Sequence, residues 1–263
     1  MALTRLRATD GVLGDNVKVD EKDFYAVNLK LNDLGIEAPF VIDTAAGASI
    51  VTPSFASKVD AKSTGVTASV SGGTSTSGGL QQVMLGRVSI EGEDGTIQLN
   101  SMLPIAMELP VPPHVGGLLG LDLLVRMGLL VVSFPASQAV SMDDTPSRDA
   151  ARSLFTAKGL REVPLFFIPP PAGLFSIRVK LGKGGKEGSI LPAVVDMGST
   201  FTIINWAAAR ELGLSEASPE VVKTQSVVAG ASAPGAGYQA VQVYRAEIGI
   251  KMGGVKGQGA FTV

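Results

Sequence analysis

The chain has 263 residues, with 22 Lys and Arg against 24 Asp and Glu, a formal charge of −2, no cysteine and a single histidine. That length holds one large domain or two of roughly 100 to 130 residues, and a near-balanced charge without a long basic run argues against a nucleic-acid surface. The lack of cysteine removes disulfides, thiolate nucleophiles and zinc-thiolate sites, while His114, alone in the Pro-rich VPPH, reads as a loop residue rather than a triad or metal-cluster member.

Residues 1–23 form a polar lead-in with no apolar segment of the length a secretory signal needs. The most membrane-like run, 115–132, carries Asp122, Arg126 and four glycines, so burial in a folded core is expected rather than a bilayer span. The expectation is a soluble protein without a membrane partner, cytoplasmic or organellar rather than secreted.

Residues 24–31 (FYAVNLKL) alternate apolar and polar side chains, Asn32, Asp33 and Gly35 supply turn chemistry, and 38–42 resumes as a strand, which predicts a β-hairpin leading into Asp43. A strand at 49–51 follows. Thr52 and Pro53 then give an N-cap and a proline at the first helical position, predicting a short helix over 54–59. Strands are expected at 66–70 and 80–85, separated by GGTSTSGG at 72–79, a Gly-rich tip suited to a loop that opens over a ligand or to a plain flexible turn. As a phosphate cradle that stretch lacks the lysine and Ser/Thr of a P-loop. Strands at 87–90 and 97–107 and a Pro-rich passage bring the chain to Leu118, Leu119 and Gly120.

A composition change follows at 135–146, and a helix is predicted over 147–158, stopped by Gly159. Beyond Pro169, Pro170 and Pro171 a second half begins at Leu174 and repeats the first. LFSIRVKL at 174 matches FYAVNLKL at an offset of 150, and FTIINWAAAREL at 201 matches ASIVTPSFASKV at an offset of 153. In the second copy Asn205 is a good N-cap, 206–212 has helical composition with Trp206 and its alanines as packing residues, and Gly213 closes it. The segment 227–237 takes the place of the first Gly-rich loop. The expected organisation is the lead-in at 1–23, lobes at 24–134 and 174–263, and a helical connection at 135–173.

Each half contains one apolar-apolar-Asp loop, VIDTAAGASIVT at 41–52 and VVDMGSTFTIIN at 194–205. With GLLGLDLL at 117–124, these loops resemble the aspartic proteinase group, closer to its retropepsin-like branch than to the disulfide-bearing secreted pepsins. The resemblance covers about 24–134 and 174 onward. It implies a mostly β fold, an acid-protease-like double lobe of antiparallel sheets with short helices, in which the hydrophobic-hydrophobic-Gly strand threads past the active-site loop. It further implies that Asp43 and Asp196 form the catalytic pair and that Thr44, Gly72, Gly73, Thr74, Gly198 and Ser199 serve the substrate. The implied activity is peptide hydrolysis by a water activated between two carboxylates, without metal or cofactor, on a peptide or protein in extended conformation.

Three departures from the family pattern bear on activity. Ala45 stands where the family has glycine, bringing a Cβ into the turn that aims amides at the carboxylate. Met197 stands where it has Thr or Ser and supplies no cross-lobe hydroxyl, although Thr44 does. About 75 residues separate Asp43 from Leu118 but only 67 follow Asp196, so the second lobe is expected to lack its own hydrophobic-hydrophobic-Gly segment. The alternatives are a non-catalytic peptide-binding relative, or a homodimer pairing Asp43 with Asp43; a monomer with pseudo-dimeric lobes is favoured over the homodimer.

Overall fold

The computed structural model describes residues 4–7, 23–31, 33–71, 76–92, 95–133, 138–142, 145–169, 172–184, 186–199, 201–229, 240–252 and 255–262. Gly72, Gly73 and Thr74, most of the second Gly-rich segment, and the end of the lead-in fall outside them.

In the first lobe β1 (Thr4–Arg7) lies antiparallel to β2 (Asp23–Leu31), which forms the expected hairpin with β3 (Ile36–Ile42). Gly35 closes the hairpin at φ +63°, a left-handed conformation that costs glycine nothing, and its amide donates to the Leu31 carbonyl. Both faces of this pair are buried. Val27, Leu29, Leu31, Phe40 and Ile42 enter one apolar cluster, whereas Ala26 and Val41 enter a second on the opposite face.

The chain continues through β4 (Ile50–Val51) into α1 (Pro53–Lys58), where the Thr52 hydroxyl accepts from the Phe55 amide and Pro53 opens the helix as expected. Strands β5 (Lys62–Ser71) and β6 (Thr76–Met84) form a long hairpin, followed by β7 (Gly86–Gly92), β8 (Gly95–Met102) and β9 (Ile105–Ala106). Two details differ from the sequence expectation. The strand expected from 66 starts at Lys62, with a register shift around Gly65 at φ +78°. The run expected over 97–107 breaks in two at Pro104, which has no amide to donate and instead accepts from the Val83 amide.

The short strand β10 (Gly117–Leu119) is inserted between β3 and β4, parallel to the first and antiparallel to the second. The sheet therefore runs β5-β6-β9-β4-β10-β3-β2-β7-β8, with β1 on β2. Leu119 faces the first apolar cluster and Leu118 the second, so this one strand closes the core on both sides. Next come α2 (Leu121–Leu124), a 3-10 turn at Val125–Met127, and the paired strands β11 (Leu129–Ser133) and β12 (Gln138–Met142).

Helix α3 (Thr145–Ala157) buries only Ala151 and leads to β13 (Phe166–Ile168), which pairs with β14 (Leu174–Lys183). The second sheet adds β15 (Lys186–Val194), β16 (Val222–Ala229), β17 (Ala240–Met252) and β18 (Val255–Thr262), and α4 (Trp206–Glu211) packs on it. Helix α4 begins 153 residues after α1 and is capped by Asn205, whose side chain accepts from the Ala208 amide. Trp206 is a packing residue, its ring edge-on to Tyr244 at 5.3 Å. The architecture is mostly β and double-lobed with short helices, and no described helix is long and apolar enough to cross a membrane.

Candidate active site

Two β-strands end side by side and deliver the two aspartates. In the first lobe β3 stops at Ile42, and the Asp43 amide donates to the Leu119 carbonyl at 3.0 Å, so β10 holds the position from which the loop departs. The chain then turns on small residues, and the Ala45 amide donates back to Asp43 Oδ1 at 2.8 Å, with the Ala46 amide adding to it. Only glycine fits at 120: a Cβ there would meet the Ala48 carbonyl carbon at 2.5 Å and the Ala46 oxygen at 2.8 Å. The Leu121 amide donates to that same Ala46 oxygen.

In the second lobe β15 ends at Val194 and the Gly198 amide donates to Asp196 Oδ1 at 2.8 Å, reinforced by Ser199. The two loops are built alike because the same small-residue turn follows each aspartate. Ser199 locks its own turn, its hydroxyl donating to the Phe201 carbonyl and accepting from the Phe201 amide.

The loops meet. The Asp43 and Asp196 carboxyls hydrogen-bond to each other, and Gly198 lies so close to Asp43 that a Cβ on it would stand 2.5 Å from the carboxyl carbon. Thr44 ties the lobes: its hydroxyl donates to the Val195 carbonyl at 2.5 Å and accepts from the Met197 amide at 3.0 Å. Met197 has no hydroxyl to return, and its side chain packs against the first-lobe core instead. Ala45 does not crowd the turn. Its backbone keeps a negative φ, Asp60 being the one non-glycine with positive φ among the described residues, so a Cβ is compatible with an amide aimed at the carboxylate.

This enclosure sets the protonation of the pair. Burial between the loops, then the neighbouring Asp196 charge, pushes Asp43 up to about 6, against the pull of the Ala45 and Ala46 amides. Asp196, open on its solvent side, is also raised by its partial enclosure, while the Gly198 and Ser199 amides and the bond to Asp43 oppose the rise. Two facing carboxyls of this kind hold one proton between them over a range of mildly acid pH.

Ser49 and Asp122 form a support that the sequence reading missed. Ser49 is fully buried, and its amide and hydroxyl both donate to Asp122 Oδ1, at 2.9 and 2.7 Å, while its oxygen accepts from the Gly120 amide. In the sequence Asp122 stands out only as an acid in the first turn of α2, two residues after the glycine that must touch the Asp43 loop, and nothing there names Ser49 as its partner. Of the expected site residues, Asp43, Thr44, Asp196, Gly198 and Ser199 come together at this junction; Gly72, Gly73 and Thr74 lie outside the described residues. Among the described residues no group of three or more His, Asp or Glu is placed to hold a metal ion.

No protein-family model matches the chain, and no curated protein does. Among solved structures, an aspartic proteinase from Irpex lacteus is similar over 98% of this chain and 78% of that one, at 12% sequence identity and a TM-score of 0.45. A likeness of that degree leaves the functional reading to the geometry of the two loops.

Proposed function

We propose that the chain is an aspartic-type endopeptidase in which Asp43 and Asp196 together activate a water molecule against a peptide bond. The observation that supports this is the hydrogen-bonded pair of carboxyls, one from each of two duplicated loops and each cradled by backbone amides. The proton the pair shares is drawn to Asp43, which is raised to about 6 by burial and then by the Asp196 charge. Asp196 takes a proton from the water, the water oxygen bonds to the scissile carbonyl carbon, and the Asp43 proton goes to the developing oxyanion. Collapse of the tetrahedral intermediate breaks the carbon–nitrogen bond as Asp196 passes the proton it took from the water to the leaving amine and a hydroxyl of the intermediate returns a proton to Asp43, so both carboxyls are restored and no covalent enzyme intermediate forms.

In this reading the substrate is a peptide or protein in extended conformation lying across the junction of the 24–134 and 174–263 lobes, with no cofactor taking part. A monomer suits it, because the chain's own second loop already supplies Asp196 and both cross-lobe partners of Thr44. A second reading, a peptide-binding relative without catalysis, draws on Met197, which leaves the cross-lobe tie one-sided.

Cleavage of a denatured protein or a mixed peptide library across about pH 3 to 7 decides between them. Hydrolysis by the wild type, abolished by Asp43→Asn and by Asp196→Asn, supports the peptidase. Peptide binding with no cleavage by a folded chain supports the second reading, and activity that survives Asp196→Asn would sink the two-lobe pair.

A further inference from the structure

The two aspartate loops differ at the residue that follows the acid. The internal repeat sets Thr44 against Met197, a short hydroxyl side chain against a long apolar one. Thr44 reaches out of its own loop to the Val195 carbonyl and the Met197 amide. Met197 reaches the opposite way. Its side chain leaves the second lobe and packs, half-buried, against the first-lobe cluster that contains Phe40, Ile42 and Leu119.

Among the described residues this is the one apolar side chain that crosses. No other residue of 174–263 joins either first-lobe cluster, and no residue of 24–134 joins that of the second lobe. The other contacts at the junction are polar or made by backbone: the bond between the Asp43 and Asp196 carboxyls, the two bonds of Thr44, and the close approach of Gly198 to Asp43. Met197 sits between Asp196 and Gly198, so it is gripped from the first lobe at its amide and again at the far end of its side chain. A hydrogen bond to one amide lets a loop pivot about that bond, and a pivot here would swing the adjacent Asp196 carboxyl away from Asp43. A second hold at a distance stops it. Methionine suits this task, because an unbranched chain with three rotatable bonds and a polarizable thioether conforms to a surface that is not its own.

We propose that Met197 is a positioning residue whose side chain, seated against the first-lobe core, holds the Asp196 carboxyl in register with Asp43. Its effect on turnover rests on the peptidase reading; its effect on the geometry of the pair does not. On this assignment the departure at 197 is an exchange of hydroxyl for thioether rather than a loss. The first lobe grips through a hydrogen bond and the second through apolar contact.

The test compares the full chain with Met197→Leu, Met197→Gln and Met197→Ala. Leucine keeps the apolar volume, glutamine keeps the length but is polar, and alanine keeps neither. Two quantities are read on each: peptide turnover, and the titration of the Asp43 carboxyl followed by NMR of its carboxyl carbon. Met197→Leu is expected to stay within about threefold of the wild-type kcat, as for a volume-conserving swap, and to leave Asp43 at about 6. Met197→Ala and Met197→Gln are expected to lose about 10- to 100-fold in kcat while KM moves by less than about threefold, because reacting groups are displaced and no substrate contact is removed. In both, Asp43 should titrate lower, toward its ordinary 3.8, as parting loops relieve its burial and its exposure to the Asp196 charge. A folded Met197→Ala chain with wild-type kcat and wild-type Asp43 titration would overturn the proposal, as would a loss confined to unfolding stability. Equal losses in the leucine and glutamine variants would overturn it too, since they would show that apolar seating is not what matters. A wild type that cleaves nothing, with Asp43 still lowered in the alanine and glutamine variants and not in leucine, would sink the peptidase reading and support the seat of Met197.

Discussion

The Thr44 hydroxyl leaves its own loop and bridges the Val195 carbonyl and the Met197 amide of the other. One oxygen thus sets the separation and rotation of the two carboxyl-bearing loops. Thr44→Val keeps the shape and removes both bonds, which should cost about 1 to 2 kcal/mol of stability in thermal or urea unfolding. Cleavage should fall by more than that loss explains, because the carboxyls lose their register. Thr44→Ser, which restores the hydroxyl, should recover most of the activity; failure of that rescue would show that the threonine methyl, not the hydroxyl, matters.

Gly198 is the other fixed point of the junction. A methyl group there would sit 2.5 Å from the Asp43 carboxyl carbon and within 3 Å of both its oxygens, so the loops must part to admit it. Gly198→Ala should therefore lower kcat by about 100-fold or more, as expected when reacting groups are displaced by about an ångström, with the chain still folded by circular dichroism. Wild-type kcat in a folded Gly198→Ala variant would mean that the reacting carboxyls do not face each other here.

Protonation gives a separate check. The Asp43 proton, held up to about 6 against an ordinary value of 3.8, is needed for the acid step, so the alkaline limb of the cleavage profile should fall near pH 6. Its stability effect has the same sign. A carboxyl whose pKa is raised on folding favours the folded state fully below its unfolded value, and that contribution is lost as pH rises through the folded value. Each tenfold gain in proton affinity on folding is worth about 1.4 kcal/mol, so the wild type should lose up to about 3 kcal/mol from this group between roughly pH 4 and 7. Asp43→Asn should flatten that part of the stability curve, and parallel curves for the two proteins would contradict the assignment.

Much of this architecture could be read from the chain because it is carried by local chemistry. Thr52 with Pro53, Asn205 with the alanines after it, and the alternating strands into each aspartate are signals confined to a few residues. The duplication then doubled each of them. What stayed hidden depends on contacts across the chain. Nothing near Asp122 says that its carboxylate will meet Ser49, because the pairing arises only when β10 threads between β3 and β4. Val194 and Ile203 lie in runs that read as core, yet they are 38% and 48% exposed.

The Ser49–Asp122 pair carries its own consequence. Asp122→Ala would leave a fully buried amide and hydroxyl without their acceptor, at a cost of about 2 to 3 kcal/mol by the usual penalty for orphaned buried polar groups. Asp122→Asn retains an oxygen that accepts both and should cost less than half as much. Because the same serine accepts from Gly120, whose close approach shapes the Asp43 loop, Asp122→Ala should also lower cleavage. Equal stability of the alanine and asparagine variants would show that the pair is not a support.

Ser176 bears on the asymmetry of the lobes. It faces Val194 in the register in which Ala26 faces Val41, yet it carries a hydroxyl that is wholly buried and has no hydrogen-bond partner among the described residues. Such a group gives up its hydration without compensation, at about 1 to 3 kcal/mol. Ser176→Ala copies the residue of the first lobe, removes the orphaned oxygen and vacates little volume, so it should stabilise the chain by about 1 kcal/mol and raise Tm by a few degrees. The measurement is urea unfolding of the two proteins side by side at one pH, with equal m values required for a clean comparison. A loss of stability would mean that the hydroxyl has a partner in solution. A gain would establish that the second sheet carries a buried defect where β14 pairs with β15.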